Sequence, residues 1–378
     1  MIVGTSFRIL HCMRAPVGGL FRHVLDLAAE QAARGHDVGV IADSTASDQL
    51  TLQRFAALEP HLKLGLRRIP MSRKPGLGDW SAARAVAAYA GFISANVVHG
   101  HGAKGGAYAR LAGRFVQTRG QSVATFYTPH GGTLNYKPGS VEGRVYLGLE
   151  KILGGLTSGL IFESDYARRI YDARVGIGAV PARVVPNGLA PSDFRPHTPH
   201  ADAADVLFIG ELRAIKGIDV LLEALALVSK TRPVKAVIVG SGPDGDALKA
   251  QAARLGLGAH VSFPGAMPAA KAFALGRCLA VTSRAESFPY VVLEAGAAGI
   301  PLISTNVGGI PEIVGDTGFN LIAADDVTAL AGAIHDIIDD PTSAQARARR
   351  LNARVADLFT VAAMTTAVDD FYRSALVR

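Results

Sequence analysis

The chain of 378 residues contains very few cysteines. Cys12 and Cys278 are the only two; they lie far apart, and neither has a partner at metal-ligand spacing. A disulfide framework needs several cysteines, and cysteine zinc sites need short, regular spacings. The scarcity of cysteine therefore argues against both and indicates a reducing compartment.

Long apolar runs are also missing, although hydrophobic residues make up 49% of the chain. A helix that crosses a bilayer needs about 18 or more uninterrupted apolar residues, and no stretch reaches that length. Ser6 and Arg8 interrupt the early apolar run, so the N-terminus lacks the order of a signal peptide. We therefore expect a cytoplasmic protein without a membrane span.

The length of the chain fits two domains, each with its own core. Segments typical of buried strands alternate with helical segments in both halves, which predicts parallel α/β sheets covered by helices on both faces. The pattern stops around residues 194–205, which contain two prolines and no apolar periodicity, and then restarts. We expect an N-terminal domain over residues 1–195 and a C-terminal domain over residues 196–378. The predicted strands are residues 7–11, 37–42, 96–101, 123–127, 159–162, 206–209 and 235–239.

Basic residues are concentrated in the first half. Residues 1–196 contain 23 Lys and Arg against 13 Asp and Glu, a net charge of +10, whereas the remainder has 16 against 19, a net charge of −3. A basic domain is typical of a surface that meets an anion or an anionic membrane. Solubility is the alternative explanation for this charge.

Two glutamates, Glu286 and Glu294, stand on either side of seven residues. Ser287 is a suitable N-cap, so the sequence predicts a short helix over about residues 288–298. The N-terminus of such a helix can bind phosphate through its N–H groups and its dipole. On spacing alone, the alternative is that both glutamates are ordinary helix residues.

Together with residues 301–312, this segment resembles the signature of the retaining nucleotide-sugar glycosyltransferases of family 4. The resemblance implies an α/β fold of the GT-B type, in which two doubly wound Rossmann-like domains face each other across a cleft. It also implies that Glu286 lies at the reaction centre and that Glu294 binds the donor ribose, with backbone amides between them on the diphosphate. The donor-binding residues between the two glutamates are Phe288, Pro289 and Tyr290.

Two loops resemble further parts of the family signature. Gly18 and Gly19 follow the first strand, where the family places a glycine-rich loop against the donor phosphate. A loop in the second half carries Arg213 and Lys216, which would neutralise the leaving diphosphate. Glu211 stands where many members carry an arginine, so we assign that role to Arg213. Ordinary turn glycines and solvated loop charges are the alternatives.

Histidines stand at the ends of two predicted strands in the first half. The run Thr-Pro-His-Gly at residues 128–131 matches a family segment whose histidine lies beside the transferred sugar. This match implies a catalytic role for His130. His101 is the lesser candidate, and a structural hydrogen-bonding role is the alternative for both.

The resemblance implies a hexosyltransferase that moves a sugar from a nucleotide diphosphate sugar to an acceptor hydroxyl with retention of configuration, in polysaccharide or glycolipid assembly. The family mechanism is front-face displacement: the leaving diphosphate helps to deprotonate the acceptor, while Glu286 and His130 orient the sugar and stabilise its oxocarbenium-like state. A same-fold sugar-nucleotide epimerase and a non-catalytic nucleotide-sugar binding module are the alternatives. A dinucleotide-dependent oxidoreductase is disfavoured because the spaced glycine fingerprint is absent.

The chain contains one Asp-x-Asp pair, Asp244 and Asp246, of the kind that holds a metal-bridged diphosphate elsewhere. These residues stand where a helix is predicted to begin, which indicates first-turn carboxylates that interact with the helix dipole. We therefore expect no metal and no cofactor besides the donor substrate.

Residues 61–75 interleave basic and apolar side chains without an acidic residue. Such a segment can press its apolar side chains into a lipid interface while its cations meet anionic headgroups. We expect peripheral association with an anionic membrane surface at the inner face, a lipid-linked or saccharide acceptor, and no nucleic acid partner. A mobile surface loop is the alternative.

Overall fold

The computed structural model describes residues 6–45, 48–73, 76–131 and 139–376, apart from the side chain of Glu142. The chain forms two compact units: Met1–Gly188 with Val361–Arg378, and Leu189–Thr360. Each unit has its own parallel sheet. The first passage between the units falls earlier than the predicted boundary after residue 195, and the chain returns to the first unit at its C-terminal end.

A sheet of seven described strands organises the first unit. These strands are β1 (Arg8–Met13), β2 (Asp37–Asp43), β3 (Leu66–Ile69), β4 (Val97–His101), β5 (Ala124–Thr128), β6 (Gly159–Phe162) and β7 (Ala182–Val184). The helices of this part of the chain are α1 (Gly18–Ala33), α2 (Gln49–Leu58), α3 (Gly78–Phe92), α4 (Gly102–Gln117), α5 (Val141–Gly154) and α6 (Asp165–Arg174). The spatial order is β3-β2-β1-β4-β5-β6-β7, so the direction of winding reverses between β1 and β4.

The second unit contains a sheet of five described strands in the order β10-β9-β8-β11-β12. These strands are β8 (Ala204–Ile209), β9 (Ala236–Val239), β10 (Val261–Gly265), β11 (Gly276–Val281) and β12 (Leu302–Ser304). The helices are α7 (Ile218–Val228), α8 (Gly245–Arg254), α9 (Ala269–Ala272), α10 (Tyr290–Ala298), α11 (Ile310–Val314), α12 (Val327–Asp339) and α13 (Pro341–Leu358). Successive residues of β8 enter different cores, with Val206 and Phe208 in one and Leu207 in the other. Both faces of the sheet are therefore buried, as the continuous apolar strands predict.

The last helix, α14 (Val361–Leu376), belongs to the first unit, where it packs against α1, β5 and β6. Its buried residues include Val368, Phe371 and Tyr372. The Phe126 ring of β5 lies 5.5 Å from the Phe371 ring and 4.5 Å from the Tyr372 ring. An amphipathic helix does not reveal from sequence which of two sheets it will cover, which explains why the domain prediction kept this segment in the second half.

The helix predicted from Phe288 onwards begins later than expected. Helix α10 starts at Tyr290, its N-cap is Pro289, and no side chain caps it. Phe288 precedes a proline and is therefore disfavoured in the helical region. The predicted cap, Ser287, instead accepts a backbone hydrogen bond from Gly309 at 2.9 Å through its carbonyl oxygen. The prediction of Ser287 as the N-cap was wrong.

Two of the apolar side chains in the basic run at residues 61–75 point into the core rather than to solvent, contrary to our expectation. Leu62 and Met71 are buried, and Ile69 packs against the core from the edge strand β3. The exposed apolar side chains lie just beyond the run, at Leu77 and Trp80. Lys74 and Pro75 fall outside the described residues. Among the residues that are described, no helix combines the length and apolarity needed to cross a membrane.

Candidate functional site

The winding of the second sheet reverses between β8 and β11. Loops that follow the two strands at such a point leave a crevice at the carboxyl edge of the sheet, where ligands of α/β proteins bind. The loop after β8 leads into a short 3₁₀ turn at Ala214–Lys216, and the loop after β11 runs from Thr282 to Pro289. The fold therefore brings together Lys216 and Glu286, which sequence analysis selected independently.

Lys216 and Glu286 form a close ion pair. The Nζ of Lys216 donates to Oε1 of Glu286 at 2.6 Å, and Oγ of Ser283 donates to the same oxygen at 2.6 Å. The side chains retain 27% and 11% of their exposure, so the pair is neither fully solvated nor sealed. The other carboxylate oxygen, Oε2, accepts no hydrogen bond from the described residues, which leaves it available to a ligand.

Backbone contacts fix the loops that carry this pair. The hydroxyl of Thr282 donates to the carbonyl of Lys216 at 2.9 Å, and the amide of Arg284 donates to the carbonyl of Ile215 at 2.8 Å. Gly217 has a φ of +63°, and a Cβ there would lie 2.0 Å from the Thr282 carbonyl oxygen. Only glycine permits this left-handed turn at such close approach.

Arg284 ties the two loops together by charge. Its guanidinium donates to both carboxylate oxygens of Asp219, at 2.9 and 2.6 Å, and to Asp325 at 2.7 Å. The hydrogen bonds that Arg284 donates to Asp219 raise the pKa of Arg284 above its usual range. Burial acts to raise the pKa of Asp219, but the hydrogen bonds and charge of Arg284 outweigh burial and hold that pKa below its usual value. Bidentate pairing of this kind is geometrically specific, so it positions the start of α7 against the Glu286 loop.

Arg213 and Asp244 take different positions from Lys216. The Arg213 guanidinium lies 3.7 Å from Glu211, and both side chains are about half exposed. Such a pair contributes little stability and leaves Arg213 accessible. Asp244 is the N-cap residue of α8, but its carboxylate accepts from the backbone amide of Ala214 at 2.6 Å and so braces the Lys216 turn. Asp246 is fully exposed on the first turn and pairs with Lys249 at 3.4 Å.

The predicted donor residues on and before α10 separate into two groups. The side chains of Phe288 and Tyr290 are 4% and 7% exposed and belong to the core of the second unit. Any contact of Phe288 or Tyr290 with a donor would therefore come from the main chain. Glu294 is half-buried on the second turn of α10, and Pro289 precedes the helix.

In the first unit, Gly18 and Gly19 are the first two residues of α1, directly after the loop that follows β1. Both are exposed, and Gly18 has a φ of +63°. The structure thus places the glycine pair at a helix N-terminus next to the strand reversal between β1 and β4. This is the location in which a backbone can approach a phosphate.

His130 begins a chain of buried hydrogen bonds in the first unit. Its Nδ1 bonds to Glu163, and its Nε2 lies 3.1 Å from Nδ1 of His101. The Nε2 of His101 lies 3.0 Å from Nδ1 of His11, whose Nε2 lies 2.8 Å from the amide oxygen of Gln31. Both ring nitrogens of His130 are therefore engaged, and a sugar hydroxyl would have to replace one of these bonds.

The direction in which these hydrogen bonds are donated follows from Gln31 and Asp369, at the far end of the chain of bonds. The Gln31 amide nitrogen donates to Asp369 at 2.9 Å, so the Gln31 oxygen accepts the proton of His11 Nε2. With His11 neutral, its Nδ1 accepts from His101, and His101 in turn accepts from His130. Burial lowers the pKa of His11 to about 4 and that of His101 well below its usual value. The tautomers are consequently fixed along the chain.

Sequence reasoning missed His11, His23 and His99. His11 and His99 are paired residues of the neighbouring strands β1 and β4, and His101 lies on the same face as His99. The His-x-His spacing was the available signal, but the sequence does not show which strands are neighbours. His23 stands within an amphipathic helix, where nothing distinguishes it from a core histidine.

Two family models match the chain and together cover most of it. The model described as Glycosyltransferase Family 4 matches residues 17–193. The model described as Glycosyl transferases group 1 matches residues 191–354. Among similar proteins, a phosphatidyl-myo-inositol mannosyltransferase of Mycobacterium tuberculosis is 30% identical over 84% of this chain and 82% of its own length. A glycogen synthase of the same species is 29% identical over 95% of this chain and 92% of its own length.

Solved structures resemble both units of the chain. HepE from Anabaena, crystallised with UDP and glucose, has a TM-score of 0.82 at 22% identity and covers 98% of this chain and 100% of that chain. A sucrose-phosphate synthase from Thermosynechococcus elongatus has a TM-score of 0.80 at 23% identity and covers 98% and 99%. These likenesses confirm the predicted fold class, an α/β architecture of the GT-B type with two Rossmann-like sheets.

Proposed function

The chain belongs to the family 4 glycosyltransferases of group 1, and on that premise we propose that it transfers a hexose from a nucleotide diphosphate sugar to an acceptor hydroxyl with retention of configuration. The observation that carries the proposal is the Lys216–Glu286 pair at the strand reversal of the second sheet. Relatives named as glycogen synthase and mannosyltransferase, and a neighbour crystallised with UDP and glucose, support a hexose donor.

The geometry of the pair suits the departure of a diphosphate. Lys216 has three ammonium protons and uses one on Glu286, so it can bind a phosphate oxygen without releasing the carboxylate. A positive charge held beside the leaving group stabilises negative charge as the glycosidic bond breaks. Glu286 keeps Oε2 for a sugar hydroxyl, and Arg213 adds a second, more exposed cation. Glu294 on α10 is assigned to the ribose.

A panel of nucleotide sugars identifies the donor. Each is incubated with the protein, and the one that protects it best from heat is then assayed for transfer. Glu286→Ala and Lys216→Ala should each lower transfer by about 100-fold or more, because each removes a charge that acts at the reacting centre. Glu223→Ala, at an exposed position on α7, is the matched control.

Near-normal turnover of Glu286→Ala would contradict the site assignment. Consumption of the donor in the absence of any acceptor would favour the epimerase alternative. Binding of donor without turnover, across a broad acceptor panel, would favour the binding module. Gly18, Gly19 and His130 keep their predicted donor and sugar roles as part of this proposal.

Peripheral contact with an anionic membrane is a second part of the proposal. Arg67 and Arg73 are exposed on the basic run, and the exposed Leu77 and Trp80 follow it at the start of α3, with side chains 90% and 69% exposed. Cations beside exposed apolar side chains suit a lipid interface, at about 1 kcal/mol per basic residue. A lipid-linked acceptor would then be reached from the bilayer surface, whereas a saccharide acceptor would need no such contact.

The single tryptophan makes this contact measurable. The emission of Trp80 should shift to the blue with anionic vesicles at low salt, and high salt should reverse the shift. Neutral vesicles serve as the control for charge, and Arg84→Ala, which removes an exposed cation on α3 outside the run, serves as the control for position. Failure to co-sediment with anionic vesicles at low salt would rule the contact out.

Transfer without a divalent metal is the third part. Lys216, Arg213 and the N-terminus of α10 supply positive charge for the diphosphate, and Asp244 is already committed to the Ala214 amide. Full activity after chelation of Mg²⁺ and Mn²⁺ is expected. Activity that only Mg²⁺ or Mn²⁺ restores would contradict this part.

A further inference from the structure

His23 carries a buried nitrogen that has no partner among the described residues. Its ring is 1% exposed, and its Nδ1 bonds to the side-chain oxygen of Asn187 at 2.9 Å. Nε2 is buried and makes no hydrogen bond. In either tautomer this nitrogen is unsatisfied, which is unfavourable for a buried polar atom. A native structure keeps such an atom for a reason, such as an ion that it binds.

Two more imidazoles surround this position. One ring nitrogen from each of His23, His101 and His130 lies within 4.8 Å of the other two. The His130 ring centroid is 4.8 Å from that of His23, and the nitrogens of His101 and His130 that face each other are 3.1 Å apart. Nitrogen ligands of a tetrahedral Zn²⁺, at 2.0–2.1 Å from the ion, lie about 3.3–3.4 Å from one another. The His23 nitrogen therefore has to approach the other two by at most about 1.5 Å, and the His101 and His130 nitrogens, 3.1 Å apart, have to separate slightly.

The nitrogens that would not touch the ion are each bonded to a further group. His23 Nδ1 bonds to Asn187, His101 Nε2 to His11, and His130 Nδ1 to the Glu163 carboxylate. Metal-bound histidines nearly always bond through their other ring nitrogen to a carboxylate, a carbonyl or a comparable group, which fixes the tautomer and strengthens the ligand. Glu163 also supplies one negative charge toward the ion.

A different trio, His11, His99 and His101, is similarly close. In that trio both nitrogens of His99 are already bonded, to Tyr372 at 2.6 Å and to Thr128 at 2.8 Å. An ion there would break a bond of His99 and would satisfy no orphaned nitrogen. An ion at His23 would replace the hydrogen bond between His130 and His101, with release of its proton, and would satisfy the orphaned nitrogen of His23.

His130 adds a second indication. Its φ is +51°, and the other described non-glycine residues with positive φ are Ser94 and Asp325. A non-glycine residue in this region carries strain, and such strain is concentrated at functional sites. The strained backbone places the imidazole between Glu163 and His101.

We propose that His23, His101 and His130 form a binding site for one transition-metal ion of the Zn²⁺ class within the first unit. Three neutral imidazoles suit Zn²⁺, Co²⁺ or Ni²⁺ and discriminate against Mg²⁺ and Mn²⁺, which prefer oxygen ligands. The site is built from residues of one unit, and an ion bound to Nε2 of His130 would occupy a nitrogen that the proposed sugar hydroxyl could otherwise reach. The chain has too few cysteines for a cysteine metal site, but a site made of three histidines needs none.

The test uses full-length protein without a histidine tag. Wild type, His23→Leu and His99→Leu are loaded with Zn²⁺ or Co²⁺, dialysed, and analysed for bound metal and for the midpoint of thermal unfolding. His99→Leu is the matched control because it removes an equally buried histidine with two bonded nitrogens. Wild type and His99→Leu should retain about one ion and melt at a higher temperature with metal. Loss of an outer-shell partner alone lowers affinity 10–100-fold, so His23→Leu should lose at least that much.

Three outcomes would overturn the proposal: no ion on folded wild type, equal retention by His23→Leu, or loss of the ion in His99→Leu with retention in His23→Leu. X-ray absorption on Zn²⁺-loaded wild type needs no variant to fold. It should show three imidazole ligands, and a spectrum with fewer than three would also overturn the proposal.

Discussion

Gly308 packs closely against the backbone of the Glu286 loop. Its replacement by alanine tests whether the position of that loop matters for transfer, because the substitution changes no charged group. Gly308 has a φ of +61°, and a Cβ there would lie 1.8 Å from the carbonyl oxygen of Glu286. Real Cβ contacts essentially never fall below 3.0 Å, so the two segments must separate by roughly 1.2 Å. A displacement of about 1 Å at a reacting group can lower the rate 100-fold. We therefore expect kcat/KM of Gly308→Ala to fall by about 100-fold.

Gly299→Ala is the matched control for backbone strain. Gly299 ends α10 with a φ of +69°, and a Cβ there would meet nothing within 4 Å. Both substitutions incur the left-handed cost of about 1–2 kcal/mol in the free energy of unfolding, measured by denaturant. Only Gly308→Ala should also lose transfer, measured as initial rates with saturating acceptor. Equal kcat/KM values for the two variants would refute the reasoning that the Glu286 loop must be held at this position.

Three further predictions concern the same unit. Asp244→Ala should lower turnover, because the Ala214 amide loses the carboxylate that holds the Lys216 turn, and added Mn²⁺ should not restore it. Asp246→Ala should leave turnover unchanged, and a defect in Asp246→Ala alone would contradict this prediction. Glu294→Ala should weaken donor binding by about 1.5–3 kcal/mol, or roughly 10- to 150-fold in Kd by calorimetry, because a charged hydrogen bond to ribose is lost. Asp219→Asn should lower the free energy of unfolding at pH 7. The difference in this free energy from wild type should shrink as the pH falls below about 4, because a carboxylate with a lowered pKa stabilises the fold only while it is ionised. An unchanged difference at pH 3, measured by urea unfolding, would contradict this prediction.

Periodicity predicted seven of the twelve described strands to within a few residues, but it did not predict β3, β7, β10, β11 or β12. Strands β2 and β4 are buried along their whole length, and the apolar residues in each mark it as a buried strand. The charged residues Lys216 and Glu286 could be selected because both follow strands in loops with family-like spacing. Their meeting at one edge depends on the sheet order, which the sequence does not reveal.

The sequence does not show where side chains that suit more than one environment will lie in the fold. Leu62 and Met71 carry the pattern of a lipid-facing segment, but the edge strand between them directs them into the core. His11 and His23 sit in apolar surroundings, where a histidine gives no signal of its partners. The packing of strands and helices in the tertiary structure decides where these side chains lie, and the local sequence pattern does not contain that information.

The return of α14 to the first unit has a consequence for biosynthesis. Residues 189–360 form a contiguous unit, whereas the first unit lacks α14 until the residues after 360 have been made. At about 5–20 residues per second, translation of the intervening segment takes on the order of 10–40 s. During that interval the surfaces of β5 and β6 that α14 covers stay open. The nascent first unit therefore cannot complete its packing until α14 has been synthesised. A message truncated before residue 361 would yield a complete second unit attached to an incomplete first one.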